Sequence, residues 1–185
     1  FLLNVGPRPD GELSPGEYTA LAGIGTWTRI YGGSIYGTTR SLFLDLPWGR
    51  STTKGRILYL HVFDWPKDGR LVVPGLRSAV KSAWRVADAR RQPLRITAQG
   101  DDTIIEVGAT PDPAVVSVVA VELAGDPDIR NIIRQIGGAP VELSAARAEI
   151  ASRTARYNFG SATRHGNFIE DLRTSADHVS WNFSL

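Results

Sequence analysis

The sequence predicts a mainly β protein: an antiparallel β-sandwich preceded by the last strand–helix unit of a (β/α)8-like barrel. Two observations support this fold class. Residues 1–31 hold one short apolar run and then a segment with helical spacing, whereas residues 57–123 hold several short apolar segments separated by Gly, Pro and Asp. A buried strand followed by an amphipathic helix is the repeating unit of α/β folds, and closely spaced short strands are typical of sandwiches.

The opening segment is predicted to contain a strand, a turn and a helix. Phe1 to Val5 is a short apolar run, the pattern of a strand that is buried on both faces. Ser14 can cap a helix, Pro15 suits the first helical position, and Glu17 completes a capping box. Apolar residues then recur at helical spacing until Gly32-Gly33, which is a signal for the end of the helix. A single strand–helix unit is therefore expected before the sandwich.

The next segment changes its periodicity. Residues 34–54 are predicted to form a connection, because Pro47-Trp48-Gly49 and Ser51-Thr52-Thr53 have the composition of loops. From residue 56 the period changes from helical to two: residues 57–63 form a strongly apolar run, and two sets of side chains alternate over residues 79–86, which indicates strands. The predicted strands cover residues 57–63, 71–73, 79–86, 94–96, 103–107 and 115–123.

The remainder of the chain is less regular. Residues from about 125 to 150 show little periodicity and are predicted to be a linker, and strand-like alternation returns near the C-terminal end. Apolar runs reach both ends of the chain and Met is absent, so we expect a piece of a longer polypeptide. The predicted division is 1–45 for the end of a barrel, 46–125 for the sandwich, 126–150 for the linker and 151–185 for the start of a further β module.

The composition argues against several classes of function. The chain has no cysteine, which excludes disulfides, cysteine zinc sites and thiol nucleophiles. The net charge is +2 with scattered basic residues, unlike the basic stripe of a nucleic-acid-binding protein. No apolar run approaches the roughly 20 residues of a membrane span. His61 has no His or carboxylate at ligand spacing, so we predict a buried core or interface histidine rather than a general base or a metal ligand.

Several phrases of the sequence occur in a recognisable order: Leu2-Leu3-Asn4-Val5-Gly6-Pro7, Ser34-Ile35-Tyr36-Gly37-Thr38, Leu46-Pro47-Trp48-Gly49-Arg50, Leu58 to Pro66, and Pro111-Asp112-Pro113. Over residues 1–125 they resemble the end of the catalytic barrel and the following β-sandwich of glycoside hydrolase family 29, the α-L-fucosidases. Each phrase alone is weak, but the shared order makes the resemblance specific. The resemblance implies hydrolysis of a terminal α-L-fucosyl linkage with retention of configuration.

The resemblance also indicates what the chain lacks. A retaining glycosidase needs two carboxyl groups about 5–5.5 Å apart, and in this family they are an Asp and a Glu on earlier barrel strands or loops. We therefore expect no catalytic residue here and an inactive isolated chain. The resemblance implies no metal or organic cofactor. It implies a fucosylated oligosaccharide or glycoconjugate as partner and allows a homo-oligomer, whereas the charge distribution and the short apolar runs lead us to expect neither a nucleic-acid nor a membrane partner. For a bacterial member it favours a periplasmic or extracellular location.

Three residues are candidates for the vicinity of the substrate. Asn4 is polar within the predicted first strand, near the strand end where barrel active sites form. The alternative is a structural hydrogen bond at the transition from strand to turn. Trp48 and Trp65 lie in predicted turns, where they would either stack on a sugar or, as we favour, pack between domains.

Two other classes of protein stay open at this point. A carbohydrate-binding module without a catalytic parent, or a purely structural sandwich, would also explain the alternating strands. The predicted strand–helix opening argues against both, because neither class requires it.

Overall fold

The computed structural model describes residues 4–44, 46–131, 133–134, 148–158, 168–181 and 183–184. Its first element is the helix α1 (Pro15–Tyr31), followed by a 3₁₀ turn (Gly32–Ser34). The predicted helix start is confirmed: the Ser14 hydroxyl accepts from the Glu17 N–H at 3.3 Å, and the Glu17 carboxylate accepts from the Ser14 N–H at 3.0 Å. These reciprocal bonds satisfy two backbone donors that the first turn of a helix leaves unpaired.

The predicted opening strand falls mostly outside the described residues, which begin at residue 4. Asn4 and Val5 are exposed and do not belong to a strand here. The chain nevertheless returns to the helix, because the Gly6 N–H donates to Glu17 Oε1 at 2.9 Å. The polypeptide before the helix is thus held at the first turn of α1.

Two antiparallel sheets form the body of the molecule. Their strands are β1 (Gly49–Lys54), β2 (Ile57–Val62), β3 (Arg70–Pro74), β4 (Val80–Arg85), β5 (Ile96–Gln99), β6 (Asp102–Glu106) and β7 (Ser117–Leu123). One sheet has the order β1-β2-β7-β4 and the other has the order β3-β6-β5. Their facing side chains make a common core, so the predicted sandwich is confirmed. The main members of this common core are Leu58, Leu60, Val119, Val121, Leu71, Val73 and Ile105.

The central strands β2 and β7 of the four-stranded sheet are largely buried on both faces, which explains their nearly continuous apolar character. Val119 and Val121 face the core, whereas Val118 and Ala120 point to the opposite side and are also fully buried. The helix α1 and the 3₁₀ turn lie against this second side. The molecule therefore has three layers there: helix, four-stranded sheet and three-stranded sheet.

One segment predicted as a loop is a strand. Ser51-Thr52-Thr53 belongs to β1 and pairs with β2, where Ser51 lies opposite Leu60 and Thr53 opposite Leu58. The prediction was wrong because hydroxyl side chains lowered the apparent hydrophobicity, although β-branched threonine suits a strand. The hairpin turns at Gly55, whose φ of +57° favours glycine.

Two predicted strands begin two residues too early, whereas the other predicted boundaries differ by no more than one residue, apart from the end of β5. The expected strand at 94–96 begins at Ile96 and runs to Gln99, and the expected strand at 115–123 begins at Ser117. Val115 is 94% exposed although it is a strong strand former. Burial by neighbouring strands decides a strand boundary, and apolar character at one position does not reveal it.

Short strands follow in the C-terminal region. They are β8 (Ile133–Arg134), β9 (Glu149–Ala151), β10 (Arg156–Asn158), β11 (Phe168–Glu170), β12 (His178–Ser180) and β13 (Phe183–Ser184). β9 pairs with β12, β10 with β11, and β8 with β13, the last pair in parallel. The predicted linker thus contributes two strands that pair with the end of the chain. Among the described residues, no helix is long and apolar enough to cross a bilayer.

Candidate functional site

The contact between α1 and the four-stranded sheet is the most elaborate polar arrangement that we find in the described ranges. Two aromatic residues of the helix, Trp27 and Tyr31, are four positions apart and therefore lie on one face. Their ring centroids are 5.1 Å apart, and Tyr31 is 1% exposed. The Trp27 indole N–H donates to the Val116 carbonyl at 2.8 Å. The C-terminal half of the helix is thereby attached to the sandwich just before β7.

Tyr31 reaches a carboxylate on the sandwich. Its hydroxyl donates to Asp112 Oδ2 at 3.2 Å. Burial raises the pKa of Tyr31 to about 12, and the negative charge and hydrogen bond of Asp112 add to this effect. The phenol therefore keeps its proton, and its role as donor, throughout the neutral pH range.

Arg85 neutralises the same carboxylate. Its Nε atom lies 3.1 Å from Asp112 Oδ1 without the alignment of a hydrogen bond, so the contact is ionic. The side chains of Arg85 and Asp112 are 24% and 11% exposed, and this shielding from water strengthens their attraction. Arg85 also donates to the Thr110 carbonyl at 2.5 Å, and Ser117 Oγ accepts from the Asp112 N–H at 3.0 Å. The cluster of Tyr31, Arg85 and Asp112 connects the helix, β4 and the loop before β7.

Trp65 lies beside this cluster. The guanidinium carbon of Arg85 is 4.7 Å from the centroid of the Trp65 ring, a cation–π contact. The Trp65 indole N–H donates to the Gly108 carbonyl at 2.8 Å. The ring is partly buried against the sandwich core. One face of Trp65 is thus used by Arg85, and a sugar or interdomain contact at this residue stays a prediction.

Trp48 is placed differently from Trp65. It is 7% exposed and belongs to the sandwich core. Its indole N–H donates to the Val72 carbonyl of β3 at 2.6 Å, which links the segment before β1 to the opposite sheet. Core packing accounts for this ring and leaves little of its surface for a sugar. Asn4, the third predicted residue, is exposed and belongs to neither a helix nor a strand.

His61 lies in β2 under the helix. It is 7% exposed, which confirms the prediction of a buried histidine, and its ring centroid is 6.4 Å from that of Trp27. The Thr52 hydroxyl donates to the Ser34 carbonyl at 2.5 Å, so its oxygen can accept from Nε2 of His61 at 3.2 Å. Burial lowers the pKa of His61, and a hydrogen bond with the Ser34 backbone opposes this shift. The ring is therefore favoured as a neutral structural group.

An open groove of about 550 Å³ separates the N-terminal half of α1 from the sandwich. One side is lined by Thr19, Ala20, Gly23, Ile24 and Trp27. The other side is lined by Ile35, His61, Phe63, Val115 and Val116. Thr19, Trp27 and His61 carry the polar side-chain atoms of this lining, and each of them is already hydrogen-bonded: Thr19 donates to the Pro15 carbonyl at 2.8 Å. The groove therefore suits apolar groups rather than a sugar, which needs convergent polar partners.

Three further carboxylates in the described residues, those of Glu17, Asp88 and Glu122, have structural partners. Hydrogen bonds lower the pKa of Glu17 through Ser14 and that of Asp88 through the backbone of Gln92. Glu122 pairs with Lys81 at 2.7 Å, which lowers the Glu122 pKa. Within the same residues, no group of three or more His, Asp or Glu side chains is arranged to hold a metal ion.

Comparison with known proteins gives these observations a context. No protein-family model matches the chain. The tissue α-L-fucosidase of Rattus norvegicus is 32% identical over 93 residues, and the α-L-fucosidase of Branchiostoma floridae is 31% identical over 89 residues. The chain matches a C-terminal part of α-L-fucosidases. The matched segments cover 44% and 43% of this chain but 19% and 18% of these fucosidases.

Solved fucosidase structures extend the match to the fold. The α-L-fucosidase isoenzyme 1 from Paenibacillus thiaminolyticus superposes with a TM-score of 0.59 and 31% identity, over 66% of this chain and 30% of that structure. The α-L-fucosidase from Vibrio sp. strain EJY3 has a TM-score of 0.61 and covers 84% of this chain and 28% of that structure, and at 21% identity it supports the fold alone. The chain thus spans less than a third of each of these four fucosidases.

The sequence did not indicate the cluster of Tyr31, Arg85 and Asp112. The three residues are far apart in the chain, and Arg85 alternates with apolar residues as an ordinary surface cation would. In the sequence, Pro111-Asp112-Pro113 stands only as a phrase that resembles fucosidases. A carboxylate between two prolines is rigidly held, and this was the available signal that Asp112 has a fixed partner.

Proposed function

We propose that this chain is the C-terminal portion of a retaining α-L-fucosidase that hydrolyses terminal α-L-fucosyl linkages of glycans. The catalytic Asp and Glu would lie in the preceding part of the polypeptide. The observation that carries the proposal is the match of this chain to a C-terminal part of α-L-fucosidases in both sequence and fold. The proposed substrate is a fucosylated oligosaccharide or glycoconjugate.

The roles of the described carboxylates support a catalytic pair that lies in the preceding part of the polypeptide. Retention requires a nucleophile and an acid/base about 5–5.5 Å apart, with one of the two carboxyl groups free to ionise. Asp112 is held between Arg85 and Tyr31, and Glu17 caps a helix, so both have structural roles. The cluster of Tyr31, Arg85 and Asp112 suits a structural role, because it holds α1 in a defined orientation on the sandwich.

The proposed division into domains follows from the assignment of this chain to the C-terminal portion of a fucosidase. Residues 1–45 would complete the catalytic barrel, 46–125 would form the sandwich, 126–150 would link it to the next module, and 151–185 would begin that module. Asn4 would lie near the substrate pocket at the barrel end. Trp65 would face the catalytic domain, and Trp48 would stabilise the sandwich from within its core.

The proposal is tested by comparing two purified proteins: the 185-residue chain and the longer polypeptide that includes the preceding sequence. Hydrolysis of an aryl α-L-fucoside is measured for each at equal molar concentration. We expect turnover by the longer protein alone. Turnover by the 185-residue chain would show that a catalytic pair lies within it, and no turnover by either protein would contradict the proposed activity.

A further inference from the structure

We propose that Glu17 is a positioning residue for the substrate: its carboxylate fixes the segment that carries Asn4, and Asn4 binds a hydroxyl of the fucosyl group. This inference rests on the proposed function and on the proposed place of Asn4 near the substrate pocket. It goes beyond that function because it gives a role in substrate binding to a side chain that the capping pattern explains only as part of a helix cap.

The carboxylate of Glu17 joins the two ends of loop 6–14, which leads from the segment of Asn4 into α1. Its Oε1 atom accepts from the Gly6 N–H at 2.9 Å. Its Oε2 atom accepts from the Ser14 N–H at 3.0 Å and from the Ser14 hydroxyl at 2.7 Å. A capping box requires only the contacts with Ser14. The bond to Gly6 is therefore an addition to the helix cap, and it reaches the far end of the loop.

The loop between these two ends is closed by its own hydrogen bonds. The Arg8 N–H donates to the Glu12 carbonyl and the Gly11 N–H donates to the Arg8 carbonyl, both at 2.8 Å. Gly11 has a φ of +83°, which favours glycine. A compact loop whose ends lie close together packs as a unit. The position of this loop therefore depends on how its ends are held, and Glu17 holds both of them.

The place of the loop in the proposed enzyme connects Glu17 to the substrate. The active site of a (β/α)8 barrel lies at the C-terminal ends of the strands, among the loops that lead into the helices. Loop 6–14 would be the last of these loops, and Asn4 stands just before it. A carboxamide can donate to one sugar hydroxyl and accept from another. A displacement of about 1 Å at such a group can cost on the order of a hundredfold in rate, so the bond between Glu17 and Gly6 would matter for binding.

Two substitutions separate the contact with Gly6 from the helix cap. Hydrogen bonds from Ser14 and Gly6 lower the pKa of Glu17, so both of its oxygens are acceptors at neutral pH. Glu17→Gln leaves a single acceptor oxygen, which cannot serve both ends of the loop, although glutamine is still suitable for a capping box. Ser14→Ala removes the capping hydroxyl and leaves the bond between Glu17 and Gly6 intact. Glu106→Gln, the same change at an exposed ion pair of β6, is the matched control.

The test is a double-mutant cycle in the longer polypeptide that includes the preceding sequence. The dissociation constant of L-fucose is measured by isothermal titration calorimetry for the unmutated protein, Asn4→Ala, Glu17→Gln and the double variant. Each single change should weaken binding by about threefold or more. The double variant should bind no more weakly than Asn4→Ala alone, because Glu17 acts through Asn4. Ser14→Ala should lose less affinity than Glu17→Gln, and Glu106→Gln should stay within about twofold of the unmutated protein.

Three results would overturn the inference. The first is unchanged binding of L-fucose by Glu17→Gln, and the second is a double variant whose loss is the product of the two single losses. The third is an equal loss in Glu17→Gln and Ser14→Ala, because the helix cap alone would then explain both. Amide hydrogen exchange in β7 monitors the fold of each variant. If Glu17→Gln accelerates that exchange, Glu17→Asp replaces it in the cycle with the same expected result, because aspartate keeps the charge but is shorter by one methylene.

Hydrolysis of an aryl α-L-fucoside by the unmutated longer protein separates this inference from the proposed function. An active enzyme whose affinity for L-fucose does not depend on Glu17 would overturn the inference and keep the function. A protein that binds L-fucose with the expected coupling between Asn4 and Glu17, but does not hydrolyse the fucoside, would support the inference and contradict the function.

Discussion

The hydroxyl of Tyr31 donates a hydrogen bond to the carboxylate of Asp112, 3.2 Å away in space and 81 residues later in the chain. This bond joins the end of α1 to the loop that leads into β7. Because Arg85 of β4 neutralises the same carboxylate, the helix and two strands share one centre of charge. The orientation of the helix on the sandwich depends on this centre, and its members are the first targets for mutation.

Asp112→Asn should lower the free energy of unfolding by about 2 kcal/mol, because it leaves the shielded Arg85 guanidinium without its counter-charge. Urea denaturation followed by tryptophan fluorescence measures the change. Glu106→Gln is the matched control, since its ion pair with Arg95 is long, at 3.7 Å, and exposed. The control should lose less than about 1 kcal/mol. Equal losses in the two variants would show that the Asp112 pair has no special weight.

Tyr31→Phe should cost about 1 kcal/mol through loss of its hydrogen bond. It should also change the response to alkali. The folded-state pKa of about 12 lies above the ordinary value of 10, so the native state retains a proton that the unfolded state releases. The stability contributed by Tyr31 is therefore complete below pH 10 and is lost as the pH rises toward 12.

The measurement for Tyr31 is urea denaturation at several pH values between 9 and 12, combined with ultraviolet absorbance of the phenolate. Tyr18→Phe serves as the control, because the Tyr18 side chain is 69% exposed. The difference in stability between the unmutated chain and Tyr31→Phe should shrink as the pH rises through this range. A difference that stays constant to pH 12 would contradict the raised pKa.

The buried His61 should make the folded protein less stable at acidic pH. Burial lowers its folded-state pKa below the ordinary value of 6.5, so the unfolded state binds a proton more readily. The stability from the neutral ring is present above pH 6.5 and declines as the pH falls, by at most about 1.4 kcal/mol per pH unit. His61→Gln should remove this dependence between pH 7 and 5, whereas His178→Gln, at an exposed position, should retain it. Parallel pH profiles for all three proteins would refute the assignment.

Ser14→Ala should destabilise α1 by about 1 kcal/mol, because it removes the hydroxyl that accepts from the Glu17 N–H. Amide hydrogen exchange of the first helical turn should accelerate, and exchange in β7 should not. Ser14→Thr keeps an accepting hydroxyl and should preserve most of the protection. The cap would be unimportant if Ser14→Ala and Ser14→Thr exchanged at the same rate.

Local patterns in the sequence were sufficient for several elements. The capping signals at Ser14 and Glu17 predicted the start of the helix, because the atoms that satisfy its first turn lie within three residues of each other. The short apolar runs around Leu58 and Leu71, bounded by turn residues, predicted strands, because a run of this length between turns suits a buried strand. The strand β1 was missed, since the apolar setting of Thr53 is supplied by its partners in β2 and is not visible in its own neighbours.

The sequence by itself determined the class of this protein: one capped helix, then a sandwich of short strands, with phrases that resemble the C-terminal part of fucosidases. Only the tertiary structure decided that Tyr31, Arg85 and Asp112 meet, that Trp48 is in the core, and that an apolar groove opens beside α1. The physical reason is the distance along the chain between the residues that interact. Periodicity and capping depend on residues a few positions apart, whereas ion pairs, burial and grooves depend on how distant segments pack.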